Sequence, residues 1–188
     1  MGFKTARAFH LGEISLKLDV STIASDPVVV REIIVAAPKV TYELGPHGSN
    51  IDAIKHNVDT YTQAGRVAKE PESADAAKKA GGPKVVIEHL YIRKARVNIG
   101  SSLSDQTMSA PLPDIHLSDI GKQKNGATPG EVAEKIIDAL GRTVNTTVAS
   151  VDTSKVLGEA KKQFSVAAGG VQEKAKGAVG GIGKIFGQ

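Results

Sequence analysis

The sequence predicts an α+β domain: an antiparallel β-meander forming a curved sheet, with one short helix and a long C-terminal helical region. Three observations predict it. Apolar and polar residues alternate strictly from Ile14 to Val20, as in a strand whose successive side chains point to opposite faces. A β-rich stretch near residue 30 is echoed 57 residues later. Thr128-Pro129-Gly130-Glu131 then opens a stripe of apolar residues at helical spacing. At 188 residues, 40% apolar and 23% charged, the chain suffices for one globular domain.

In chain order, Ile14, Leu16, Leu18 and Val20 predict a first strand with one buried and one wet face. Ser25-Asp26-Pro27 breaks it, and the β-branched run Val28–Val35 makes a second strand. Pro38 interrupts again, and Val40, Tyr42 and Leu44 alternate as a third. Gly45-Pro46-His47-Gly48 is a turn, after which Ser49 or Asn50 caps a helix with its stripe at Ile51, Ile54, Val58 and Tyr61. Residues 64–83 turn to Ala, Lys, Glu, Gly and Pro and read as a flexible insertion.

Shifted by 57, Val28–Val35 falls on Val85–Ile92, Val40 on Val97 and Tyr42 on Ile99, with the apolar pattern kept. Two similar strand pairs are expected. Ser101–Ala110 reads as a loop, and Leu112, Ile115, Leu117 and Ile120 as a strand pushed to a sheet edge by Pro111 and Pro113. Thr128 is a helix cap, Pro129 the first helical residue and Glu131 the partner that closes a capping box. The stripe Val132, Ile136, Ile137, Leu140, Val144, Val148 follows, with fraying expected over the β-branched run from Thr143 to Val148. Val156, Ala160 and Phe164 predict that helix continues or restarts after Asp152. The last twenty residues hold seven glycines and read either as a disordered tail or as an amphipathic helix formed on a membrane or partner. The organisation is therefore 1–63, a first β-meander plus short helix; 64–83, the insertion; 84–127, a second β segment of the same domain; 128–168, the helical region; and 169–188, the tail.

The chemistry is sparse. With no cysteine, there is no thiolate metal site, disulfide framework or cysteine nucleophile. The five histidines include no i, i+4 pair, and neither a G-x-S-x-G elbow nor a phosphate-binding P-loop occurs. Asp114 with Asp119, and Glu32 with Glu88, are the candidate acid pairs, and wet-face carboxylates explain them. Gly48-Ser49-Asn50 could present amides to an anion, although capping explains it as well. Lys and Arg number 24 against 20 acids, spread without a dense basic block, which argues against nucleic acid. No apolar run reaches the roughly 18 residues of a membrane span.

The runs Gly2–Thr5, Leu11–Asp19 and Val30–Glu43, with Gly48–Ile54 and Asn57-Val58, resemble the short bacterial AsmA-like envelope proteins. The resemblance covers residues 2–62, with a looser echo at 84–120. It implies a periplasmic protein held by an inner-membrane anchor, of which this chain, starting at Met1-Gly2-Phe3, is the soluble part. It also implies a role in envelope maintenance and lipid movement, and no catalytic residues.

The resulting expectation is a non-enzymatic module, without cofactor, metal or catalytic residues, that binds or passes lipid along an apolar sheet face. Ile14, Leu16, Leu18, Ile33, Val35, Leu90 and Ile92 are its lipid-facing candidates, the alternative for each being ordinary core. Val171, Val179, Ile182, Ile185 and Phe186 are the membrane or partner candidates. Partners are lipid or a membrane surface, with a homo-oligomer or an envelope protein also open and nucleic acid excluded. The competing expectation is a scaffold or oligomeric assembly module acting through the C-terminal helix.

Overall fold

A computed structural model describes residues 3–67 and 83–158, with 160 and 162. Among the described residues nine strands form two sheets. One contains β1 (Phe9–His10), β4 (Lys39–Gly45), β7 (Arg96–Ser101) and β8 (Ser104–Pro111) in that order, with β5 (Gly48–Ser49) on β4. The other runs β2 (Glu13–Leu18), β3 (Val28–Ala36), β6 (Val85–Arg93) and β9 (Ile115–Ile120). Two helices complete the described fold, α1 (Asn50–Val67) and α2 (Pro129–Ser150), with a further helical turn at 154–158.

Both sheets are mixed, which corrects the antiparallel meander. β3 runs parallel to β6, and β4 parallel to β7, whereas β2–β3, β6–β9, β1–β4 and β7–β8 are antiparallel. The cause lies at Ala37-Pro38. A type I′ hairpin needs two residues with φ > 0, which proline cannot supply. Ala37 alone takes a left-handed conformation (φ 52°), so the chain turns a corner from one sheet into the other instead of folding back. Lys94, 57 residues on, makes the same corner with φ 55°. The amide of Ala37 donates to the Arg93 carbonyl (2.8 Å) and the amide of Arg96 to that of Pro38 (3.0 Å), stitching the two corners together.

The repeat seen in the sequence is the pairing register itself. Every β3–β6 and β4–β7 partner is 57 residues apart, from Val28↔Val85 to Leu44↔Ser101. Parallel strands require a long crossover, and the chain passes through α1 between them. The expected loop at Ser101–Ala110 is mostly strand β8. Its sequence hid this because only Met108 and Ala110 turn apolar groups inward, against Ile99 and Val97. The edge strand expected after Pro111 is β9, which pairs with β6 alone.

Helix α1 begins with a reciprocal cap: Asp52 N donates to Ser49 Oγ (3.1 Å) and Ser49 N to Asp52 Oδ2 (3.2 Å). Asn50 instead fastens the helix to β4, accepting from the Glu43 amide and donating to the Thr41 carbonyl, each at 2.8 Å. The inward stripe ends at buried Thr62, not at Tyr61, which is 76% exposed. In α2 the capping box forms as expected, Thr128 Oγ1 accepting from Glu131 N and Glu131 Oε2 from Thr128 N. Fraying does not occur, because Val144, Thr147 and Val148 are buried and packing outweighs the small propensity cost. Gly141 faces Ile51 where the helices meet, and Lys55 of α1 pairs with Asp138 of α2. Helix restarts at 154–158, where Val156, Leu157 and nearby Ala160 are buried. Of the insertion expected over 64–83, residues 64–67 are the last turn of α1 and 68–82 lie outside the described residues, as do Phe164 and the tail candidates Val171, Val179, Ile182, Ile185 and Phe186.

The N-terminal segment is tied down by one buried acid. Glu43 is 3% exposed and accepts the Lys4 and Thr5 amides at 2.7 Å each. Burial pushes its carboxyl up, but these hydrogen bonds outweigh it and hold the group below the usual glutamate range. Its contribution is therefore full at neutral pH and lost as pH falls through the depressed value. Glu43→Gln should speed exchange of the Lys4 and Thr5 amides at pH 7, with the difference from the parent vanishing in acid. Gly12 sits where the first edge bends, and a Cβ there would meet the Ala36 carbonyl at 2.1 Å. Gly12→Ala should cost about 1–3 kcal/mol in denaturant unfolding, because backbone must move to admit it.

Candidate functional site

Register places twelve aliphatic side chains on one face of the second sheet in three rows of four. Ile14, Val35, Ile92 and Ile115 form the first; Leu16, Ile33, Leu90 and Leu117 the second; Leu18, Val30, Ile87 and Ile120 the third. The rows stay on one face only because three strands carry an extra residue between the second and third, at Arg31, Glu88 and Asp119. A bulge of this kind re-aims the side chains that follow it. Asp119 adopts φ 54° there, and Arg31 is held outward by Asp19 at 2.8 Å. The hydroxyl of Ser21 and the Arg31 guanidinium keep the Asp19 carboxyl down at about 2, so this anchor is ionised over the whole working pH range.

Cover over these rows is graded. On β6 the side chains are core, with Leu90 2% and Ile92 4% exposed, and on β9 Ile115 and Ile120 are also buried. Ile33 and Val35 on β3 are half-buried. On β2 all six residues are exposed, with Ile14 and Leu16 at 53% and Leu18 at 41%. The expected buried face of this strand is thus open, a correction whose cause is cover: β2 and β9 are both edge strands, and among the described residues α2 packs beside β9 and no helix packs on β2. Leu11, Val20 and Ile23, in the segments flanking β2, are exposed as well. All seven lipid-facing candidates share this face; five form its open or half-open flank, and Leu90 and Ile92 lie in the closed core.

The opposite face is polar and carries a cluster that the sequence did not reveal. His89 Nδ1 lies 3.2 Å from His116 Nε2, the Tyr91 ring stacks on His116 with centroids 4.3 Å apart, and Arg93 sits 4.4 Å above Tyr91. The period-two run His89, Tyr91, Arg93 was a visible signal, but its partner His116 is set by the β6–β9 register. Two imidazoles fall short of the three protein ligands of a typical catalytic zinc site. Among the described residues no group of three or more His, Asp and Glu is placed to hold a metal.

Three of the four candidate acids serve structure. Glu32 binds Lys17 at 2.6 Å, which holds its carboxyl below the usual range, Asp114 accepts the Lys94 amide at the corner, and Asp119 pairs with Lys122. The Ser49 amide at the start of α1 is occupied by Asp52, so the anion-site reading there gives way to capping. A cleft of 610 Å3 between β9 and α2 is lined by residues of both charges, including Asp119, Lys124, Lys135 and Asp138. A second, of 390 Å3, lies between the helices against Ile54, Val58, Tyr61 and Pro129. Neither brings a nucleophile to a general base.

No helix among the described residues is long and apolar enough to cross a membrane. Comparison with known proteins places the chain beside none of them: no family model, no curated protein and no solved structure matches it.

Proposed function

We propose that the protein is a non-enzymatic, AsmA-like envelope module that binds or passes lipid along the open flank of its apolar sheet face. The carrying observation is the gradient across the three rows, from closed core at Leu90 and Ile92 to half exposure at Ile14 and Leu16. Contiguous exposed aliphatic surface of this kind marks an interaction site. Acyl chains suit it, because each methylene removed from water contributes about 0.8 kcal/mol and the wall offers no polar group to satisfy. In this reading Ile14, Leu16, Leu18, Ile33 and Val35 touch lipid, and Leu90 and Ile92 form the packed wall behind them. The resemblance to AsmA-like proteins points the same way, and with it go a periplasmic location and an inner-membrane anchor in the native protein.

The scaffold reading draws no comparable support. It asks for exposed apolar surface on the long helix, whereas Leu140, Val144 and Val148 of α2 are buried within the chain.

The test contrasts two positions in one row. Leu16→Asp should leave the melting temperature within a few degrees of the parent, since Leu16 is half exposed, and should abolish retention of a fluorescent fatty acid. Leu90→Asp should unfold the domain, because an unpaired charge buried there costs well over about 3 kcal/mol. A folded Leu16→Asp protein that retains the fatty acid as the parent does would overturn the proposal.

A further inference from the structure

The rows end at β2, and so does the sheet. Among the described residues β2 pairs only with β3, leaving one side of its backbone without a strand. Which groups face outward follows from the end of the strand. The Asp19 amide donates to the Val29 carbonyl (3.0 Å), so by alternation the amides and carbonyls of Leu18, Leu16 and Ile14 point away from β3. An exposed apolar edge of this kind is a template for another strand.

We propose that two copies of the chain pair antiparallel through their β2 edges, with Ser15 on the two-fold axis, joining two four-stranded sheets into one of eight strands. Charge selects this register. With Ser15 opposite Ser15, Glu13 of each copy lies opposite Lys17 of the other on the polar face, giving two reciprocal ion pairs. On the apolar face Ile14 meets Leu16, and Leu18 falls beside Gly12, which has no side chain to obstruct it. The outward backbone groups of Ile14 and Leu16 then face each other, as a hydrogen-bonded pair requires.

Neighbouring registers that keep the faces matched are worse. Moving the axis to Leu16 sets Glu13 against Asp19 of the other copy, and moving it to Ile14 sets Lys17 against Leu11. Lys17 is free to serve both partners, since its side chain remains 67% exposed while bound to Glu32. Each copy presents the same patch, so the interface closes at two and does not propagate. The apolar rows of the two copies meet edge to edge. The pairing rests on the backbone edge and the charges of β2, so it stands whether or not the face carries lipid.

The 188-residue chain has no cysteine of its own, which permits a direct test on it. Ser15→Cys should oxidise to a covalent dimer at least about tenfold faster than Ser150→Cys, an exposed control at the end of α2. Across a two-fold the Cα–Cα separation of a directly opposed pair, about 4.5–5.5 Å, suits a disulfide. In sedimentation, Lys17→Glu and Glu13→Lys should each weaken dimerisation about tenfold, and the double exchange should restore it. A parent chain that sediments as a monomer at 100 µM would overturn the proposal. So would equal cross-linking at both cysteines, or a double exchange no better than the single changes.

Discussion

The parallel, in-register pairing of two bent strands is the constraint from which the rest of the fold follows. Chain segments 28–45 and 85–101 lie side by side with a constant offset of 57 through both sheets. Because the offset never changes, the corners at Ala37 and Lys94 coincide, as do the extra residues Arg31 and Glu88. A slip of β6 by one residue would send Leu90 and Ile92 to the polar face and pull the two corners out of line. The outer strands β1–β2 and β8–β9 bend at the same level, at Leu11-Gly12 and at Leu112–Asp114, because they follow the inner pair. Leu112 N donates to the Ala95 carbonyl there, continuing the stitch across the sheet.

This arrangement makes one core and leaves one flank open. Val40, Val97 and Ile99 from the first sheet join Ile87, Leu90 and Ile92 from the second, closed by Ile51 of α1 and Leu140 and Val144 of α2. Helix α2 packs against α1 and reaches β9, so the cover lies toward β6 and β9. At the other end, β2 carries aliphatic side chains matched to the rows, but among the described residues no helix packs over it. A strand whose residues fit a core pattern, placed where the core stops, gives the molecule its unsatisfied surface. Away from β2 the polar face is the contrary case: Glu32, His89, Tyr91, Arg93 and His116 are paired or stacked in place.

Much of this was legible in local chemistry. The capping box at Thr128, the strands β2, β3, β4, β6 and β9, and both helices follow from period, caps and breakers that act within a few residues. The 57-residue echo was visible too, but periodicity alone does not say whether two similar strand pairs lie side by side or apart, or in which direction they run. Strand β8 was hidden because its inward face is only Met108 and Ala110. The face of β2 was read as buried because its alternation is that of a half-buried strand; exposure there is decided by which edge of the sheet the helix covers. The His89–His116 contact likewise depends on a register between strands that no local signal encodes.

The central claim is that the open flank of the apolar face is an acyl-chain site, and native mass spectrometry of gently purified protein tests it most directly. Spectra would be taken before and after extraction with organic solvent. The account predicts a chain carrying acyl lipid at fixed stoichiometry, with the added mass lost on extraction. Bare chain alone before extraction, with added lipid failing to bind, would contradict it.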